Sequence, residues 1–438
     1  MFREARPEHL ERREFLRRAL VAGTATLGST LLTPARPLLA ARSPNEKLNL
    51  ACIGVANKGA DNINNLQSEN IVALCDIDSV HLGSMASRFP KAAKYADFRK
   101  MLDKEKNLDG AVVSTPDHTH AIATMWALQR GLDIYCEKPL AHSVWEVRQM
   151  RNEAATRKAV TQMGTQIHAG DNYRRVVEII RANQIGPVSR VHVWMANTNR
   201  PGKRVKEGAP PPNVDYDLWI GPAPMRPFDL SHFHFNWRYW WDFGGGTLAD
   251  FGCHYMDLPF WALDLRYPTS IEAKGEKTST GDNEVPDNMR VDYHFPARGD
   301  RPPVHLTWYH GDWMPEGAED YHKKGAVLFE GNGASGRLLA DYSTRKFFML
   351  DGTEPDAPPK SIPDSIGHWA EWAQACKNRG PTTCNFDYSG ALAEAVLLGN
   401  VSYRAGKKLT WDAESLKAAD APEADAFIKR EYRPGWGW

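Results

Sequence analysis

The chain has no net charge: 54 Lys and Arg residues balance 54 Asp and Glu. Such a surface has no long-range field to draw in a polyanion, which argues against nucleic acid and leaves a small, roughly neutral molecule as the expected partner. Low-complexity tracts are missing, and 42% hydrophobic with 25% charged residues is ordinary for a soluble globular protein. Cysteine is scarce, at six residues. Cys52, Cys75 and Cys136 fall inside apolar runs that read as central strands, where a thiol behaves as a small hydrophobe. Only Cys376 and Cys384 remain as a candidate bridge. A comfortable membrane span is lacking too. The nearest approach, Ala19 to Ala35, is short, rich in Gly and Thr, and follows Arg12-Arg13-Glu14-Phe15-Leu16-Arg17. That order matches a twin-arginine signal, so residues 1–41 are expected to engage the twin-arginine export machinery and direct the protein to the periplasm. Cleavage near Ala40 or Ala41 and retention as an uncleaved anchor both stay open.

At 438 residues the chain exceeds what one hydrophobic core usually serves, so two domains are expected. From Leu48, β-rich runs alternate with amphipathic stretches. Leu48 to Val55, Ile71 to Ile77, Gly110 to Thr115, Ile134 to Cys136 and Val160 to Met163 read as buried parallel strands joined by helices. This predicts an α/β chain whose residues 46–168 form a doubly wound Rossmann domain. After Pro187 the strand-like runs Val188 to Trp194, Met289 to Phe295, Val304 to Tyr309, Ala326 to Glu330 and Lys346 to Leu350 are separated by Gly, Pro and Asp clusters rather than by regular helices. Residues 169–412 are therefore expected to form an α+β domain on a large open, mostly antiparallel sheet, with late helices near 366–376 and 390–404. Residues 413–438 read as a C-terminal tail.

The turn after the first strand, Gly54-Val55-Ala56-Asn57-Lys58-Gly59, keeps the outer glycines of the dinucleotide fingerprint but has Ala56 and Asn57 where the middle glycine would stand. Asn tolerates the left-handed conformation and Ala is one methyl larger, so phosphate contact is reshaped or weakened. Asp76 ends the second strand, where a carboxylate accepts hydrogen bonds from the adenosine ribose and repels a ribose phosphate. NAD is thus favoured over NADP, with Asp78 as the solvated-turn alternative. Asp250 and His254 stand four apart in a stretch of helical periodicity and share a face. His254 is the expected general base, with Asp250 setting its orientation and charge. Asp257 falls one turn further on; the trio could ligate a metal, but the spacing is unspecific and none is expected. Fifteen Trp, several between Trp237 and Trp241, suit either a sugar-binding face or core packing. His168, His232, His234 and Arg238 are candidates for substrate hydroxyls or for structure.

Ser114-Thr115-Pro116-Asp117-His118-Thr119-His120, Glu137-Lys138-Pro139, Gly164-Thr165-Gln166, Gly244-Gly245-Gly246, Asp250-Phe251-Gly252-Cys253-His254 and Leu409-Thr410-Trp411-Asp412, in this order, resemble the Gfo/Idh/MocA family. The resemblance implies hydride transfer between a nicotinamide and a ring carbon bearing a hydroxyl. It implies that Lys138 hydrogen-bonds the reacting hydroxyl, that Pro139 fixes the turn aiming Lys138, often through a cis bond, and that Lys138, Asp250 and His254 are catalytic. It further implies that Thr115, Pro116, His118, His120, Glu137 and Lys138 join the glycine turn in holding the cofactor. Gln166, His168, Trp237 and Arg238 are expected at the substrate with the catalytic residues. Homo-oligomers packed through the open sheet face are expected as well.

Export adds a functional constraint. A dehydrogenase outside the cytoplasm finds little NAD to rebind, so a tightly bound, self-regenerating nicotinamide is expected. Coupled oxidation of one sugar or cyclitol and reduction of another carbonyl satisfies this. So does glycoside cleavage by transient ring oxidation, elimination and reduction, which needs a further base, for which Tyr173, His168 or His254 could serve. A non-catalytic carbohydrate-binding protein is the reading from another class. Lys138, Asp250 and His254 together weigh against it.

Overall fold

The computed structural model describes residues 46–196, 208–281, 283–321, 323–331 and 336–438; the twin-arginine segment lies outside them. Strands β1 (Asn49–Ile53), β2 (Asn70–Cys75), β3 (Ala93–Tyr95), β4 (Gly110–Val113), β5 (Asp133–Glu137) and β6 (Thr161–Gly164) form a parallel sheet in the order β3-β2-β1-β4-β5-β6. Both faces are covered, which is why β1, β4 and β5 read as continuous apolar runs. Helices α1 (Lys58–Asn65), α2 (Ser79–Arg88), α3 (Phe98–Lys104), α4 (Asp117–Gln129) and α5 (Val144–Arg157) connect the strands. The chain reverses its direction of strand addition between β1 and β4, so a crevice opens at their C-terminal ends, where open α/β sheets bind ligands. Helix α5 starts on a capping box, Ser143 with Glu146, which satisfies its first amides reciprocally.

The chain continues through α6 (Asp171–Arg181) into β7 (Val188–Met195) and then through α7 (Tyr216–Ile220), α8 (Gly246–Tyr255) and α9 (Asp257–Leu263). Helices α7 to α9 fall between Pro187 and Met289, where the sequence predicts turn clusters between strands and reads helical periodicity only around Asp250 and His254. Strands β8 (Ser270–Glu276), β9 (Asn288–Phe295), β10 (Val304–His310), β11 (Gly325–Gly331), β12 (Gly336–Ala340) and β13 (Arg345–Met349) join β7, with β14 (Leu409–Asp412) and β15 (Lys417–Ala418) at one edge. The nine-stranded order is β13-β12-β11-β7-β10-β9-β8-β14-β15, antiparallel except for β7 with β10. β3, β8 and β12 escape the sequence pattern because β3 is only three residues long, β8 is largely half-exposed, and β12 is short and begins on a glycine.

Helix α10 (His368–Asn378) does not stay with the second sheet. It returns to pack Trp372, Ala373 and Cys376 against Leu50, Cys52, Val112 and Tyr135 of the parallel sheet. Helix α11 (Phe386–Ala405) is buried along most of its length, and its Glu394 accepts both arms of the Arg148 guanidinium of α5 at 2.7 Å. The last segment contains α12 (Asp425–Ile428), and beyond it Trp436 is buried beside Phe98. All six thiols are free and buried, so Cys376 and Cys384 carry no bridge. No helix among the described residues is long and apolar enough to cross a membrane.

Candidate active site

A cavity of about 500 Å³ occupies the crevice at the switch point. One wall is the glycine turn. Gly54 takes a φ of +79°, and a Cβ there would meet the Ser114 carbonyl oxygen at 2.7 Å; a Cβ on Gly59 would lie 2.0 Å from the Gly54 carbonyl oxygen. The outer glycines thus let α1 close onto the turn. Asn57, in the altered part of the fingerprint, carries the positive φ (+47°) that the substitution needs. Asp76 holds the turn from β2, accepting from the Val55 amide at 2.9 Å and the Asp78 amide at 3.0 Å. Burial raises its pKa, and these amides oppose that rise. Glu137, fully enclosed at the end of β5, accepts from Asn62 at 2.9 Å and Gln166 at 3.0 Å. Its carboxylate fills the space of a side chain on Gly164, where a Cβ would meet it at 2.5 Å.

The chemistry-bearing groups converge where β5 ends. The Lys138–Pro139 bond is cis. The Lys138 ammonium donates to the Asp250 carboxylate at 2.5 Å and to the Asp250 carbonyl at 2.7 Å, and Arg238 Nε sits 3.1 Å from the same carboxylate oxygen. Burial opposes ionisation of Asp250, but the two cations outweigh it and hold the carboxyl well below its usual range. His254, on the next turn of α8, lines the cavity. Burial, with Lys138 next, lowers its pKa to about 3, so its ring is neutral at pH 7. His120 donates from Nε2 to the Thr115 carbonyl at 2.7 Å, which leaves Nδ1 as a lone-pair acceptor. Burial lowers its pKa to about 4. Thr115 Oγ1, His120 Nδ1 and His254 Nδ1, all of cavity-lining residues, have no hydrogen-bond partner among the described residues. Buried polar atoms left so cost about 1–3 kcal/mol each, so a hydroxyl-rich ligand suits the cavity. With the glycine turn and the Asp76 carboxylate, this donor and acceptor set fits a dinucleotide.

Residues 48–165 match the model described as "Oxidoreductase family, NAD-binding Rossmann fold", and residues 184–298 match "Oxidoreductase family, C-terminal alpha/beta domain". The chain belongs to the Gfo/Idh/MocA family. It is similar to inositol 2-dehydrogenase of Arthrobacter sp. (strain FB24), at 25% identity over 43% of this chain and 54% of the relative. It is also similar to a glycosyl hydrolase family 109 protein of Stenotrophomonas maltophilia (strain K279a), at 28% identity over 48% of this chain and 47% of the relative. The chain thus spans about half the length of these curated relatives. Among solved structures, the WlbA dehydrogenase of Chromobacterium violaceum, in complex with NADH and UDP-GlcNAcA, aligns at a TM-score of 0.64 with 17% identity, covering 86% of this chain and 99% of that one. At that identity the likeness concerns the fold.

Within this Gfo/Idh/MocA cavity stand Gly54, Ala56, Asn57, Lys58, Asp76, Thr115, Pro116, His120, Glu137, Lys138, Gln166, Trp237, Arg238 and His254. Gly59 is buried behind them against Gly54, and Asp250 sits behind Lys138 and Arg238. Five expectations need correction. His118 does not face the cofactor: its buried ring donates to the Trp219 carbonyl at 2.8 Å and packs on Trp219 and Phe243. His168 does not face substrate: fully buried, it stacks on Trp261 and pairs with Asp257 at 2.9 Å, so Asp257 does not join Asp250 and His254. Tyr173 is no base, since its buried hydroxyl donates to the His254 carbonyl and burial lifts its pKa well above the ordinary value. Asp250 does not orient His254, and no hydrogen bond joins the two among the described residues. Of the remaining histidines, His232 is buried against Tyr216, whereas His234 lines the cavity. Asp78 is not a solvated-turn residue; it is buried, caps α2 and binds Asn213 and His234.

Sequence reasoning missed Asp117. This carboxyl is buried in the cavity wall, and burial raises its pKa to about 7 against the pull of Arg238 and Lys138, with Asp250 adding repulsion. A first-turn Asp beside a proline reads as a helix-dipole residue; only the fold brings it near Lys138, Arg238 and Asp250.

Proposed function

We propose that the protein is a nicotinamide-dependent oxidoreductase acting on a ring hydroxyl of a sugar, cyclitol or glycoside. The observation that carries this reading is the placement of Lys138, backed by Asp250, near the neutral ring of His254 in the lining of a dinucleotide-type crevice. The glycine turn, Asp76, Thr115 and Glu137 would hold the nucleotide, whose nicotinamide supplies the acceptor for hydride. Asp76 favours NAD over NADP, because its carboxylate would repel a ribose 2′-phosphate. Lys138 donates a hydrogen bond to the reacting hydroxyl oxygen and stabilises charge that develops there. His254, neutral at working pH, accepts the hydroxyl proton. Asp250 acts through Lys138, keeping the ammonium charged and aimed. Trp237 and Arg238 line the cavity near these groups and would bound the substrate.

A second reading, glycoside cleavage by oxidation, elimination and reduction, is favoured by one observation: Asp117 offers the further acid-base group that this route needs, with its pKa about 7. Export by the twin-arginine route, proposed from Arg12-Arg13 and the apolar stretch after them, supports a nucleotide loaded before export and held through each turnover.

The test is to purify the full chain without added nucleotide, denature it and identify what is released by mass spectrometry, then to repeat with Lys138→Ala. Near-stoichiometric NAD from both proteins, with kcat on the responsive sugar or cyclitol lowered at least about 1000-fold in the variant, is the expected result. Unchanged turnover would remove Lys138 from the chemistry.

A further inference from the structure

Part of the cavity wall does not come from the parallel sheet. Leu218, Trp219, His234, Phe235 and Trp237 line the same cavity as Asp76 and the glycine turn, and all belong to the stretch between β7 and α8. An aromatic cluster around Trp219, Phe228, Phe233 and Phe243 stiffens this stretch, with Ile77 packed at its edge. One side is anchored away from the nucleotide end: Arg433 donates to the Gly221 carbonyl at 3.0 Å and His118 to the Trp219 carbonyl at 2.8 Å. The other side meets the end of β2 at a single buried carboxylate. Asp78 accepts from Asn213 Nδ2 at 2.8 Å through one oxygen and from His234 Nε2 at 3.0 Å through the other, so residues 21 apart in sequence meet at one carboxylate. Backbone bonds run alongside, from Ser79 N to Asn213 O at 2.8 Å and from Asp215 N to Ile77 O at 2.9 Å, making a one-residue antiparallel bridge between Asp78 and Val214.

We propose that residues 213–238 form a strap across the adenosine end of the nucleotide cleft, and that Asp78 is its fastener, setting how long the dinucleotide stays bound. The inference rests on the reading of the crevice as a dinucleotide site. A ligand enclosed in this way leaves only while the strap is open, so its dissociation rate scales with the open fraction. Hydrogen bonds to a buried carboxylate are the stronger kind, and removing the acceptor shifts the closed–open balance without touching Lys138 or His254. Asp78 is therefore a positioning residue for the cofactor.

The experiment loads full-length protein with radiolabelled NAD and follows its release into an excess of unlabelled NAD for wild type, Asp78→Asn and Asn213→Ala. Asp78→Asn keeps the Oδ1 acceptor used by the α2 amides and Asn213 while losing the charge and the oxygen that accepts from His234, and Asn213→Ala removes the other contact and leaves the Rossmann half untouched. Release about tenfold faster or more in each variant, with the double variant less than multiplicative because both changes loosen the same strap, is the expected result. Release at the wild-type rate from a variant that still binds NAD would overturn the strap alone. A folded wild type that binds neither NAD nor NADP would overturn the nucleotide reading and the strap with it.

Discussion

Asp117 and Asp250 are two carboxyls of the same site whose surroundings push their proton affinities apart, and the difference has a measurable sign. Asp250 is held ionised by Lys138 and Arg238, whereas burial lifts Asp117 from 3.8 to about 7. Between those two values the folded protein binds more protons at Asp117 than the unfolded chain does. The stability tied to this group is therefore fully present below pH 3.8 and is lost as pH rises through about 7. Asp117→Asn removes the cost of ionising a buried carboxyl. Urea melts of the nucleotide-free protein should show the variant more stable than wild type by about 4 kcal/mol at pH 8 and nearly equal to it at pH 4. Equal stability at both pH values would show that Asp117 titrates normally. Lys138, Asp250 and His254 were legible in the sequence because motif and helical spacing mark them. Asp117, and the wrong orientations assigned to His118 and His168, were not legible, because burial and ring partners such as Trp219 and Trp261 come from distant segments.

At the scale of elements, the glycine turn and α1 decide whether a dinucleotide can approach the sheet. The sequence pattern located the parallel strands well because buried runs such as Gly110–Val113 and Asp133–Glu137 are apolar throughout or nearly so. Between β7 and β9 it reads helix only around Asp250 and His254, because the glycines of α8 and the proline of α9 look like loop chemistry. The sequence reads the turn as reshaped or weakened in its phosphate contact by Ala56 and Asn57, and the outer glycines carry the close approach of α1 to the turn. Gly59→Ala would place a methyl 2.0 Å from the Gly54 carbonyl, and a backbone atom cannot swing aside as a side chain could. The helix must lift off the turn. Overpacking of this sort costs roughly 1–3 kcal/mol, and we expect both a lower urea midpoint and an NAD dissociation constant raised at least about tenfold by calorimetry. Wild-type affinity in Gly59→Ala would mean that α1 and the turn are not the nucleotide's seat.

For the whole molecule, the segment after β14 reads from sequence as a tail but behaves as a tie. Nothing in the pattern of 413–438 signals this, since its anchors are single polar residues whose partners lie hundreds of positions earlier. Glu146 is fully buried; one of its oxygens serves the capping box of α5 through the Ser143 amide at 2.9 Å, and the other accepts from Arg430 Nε at 2.8 Å and from the Tyr432 hydroxyl. Arg430 also donates to the His118 carbonyl at 2.5 Å, in the first turn of the helix that carries Asp117 and His120 into the cavity. Losing one partner of a buried pair is worse than losing both, because the remaining charge keeps its desolvation cost without compensation. Arg430→Ala should therefore lower unfolding stability by about 3 kcal/mol in urea melts. Adding Glu146→Gln, which keeps an acceptor for the Ser143 amide and removes the stranded charge, should recover most of that loss. If the segment were a loosely docked tail, Arg430→Ala would change stability by less than about 0.5 kcal/mol and Glu146→Gln would rescue nothing. The rescue thus separates a buried countercharge from a surface contact, and it ties the last residues of the chain to the helix that presents the site.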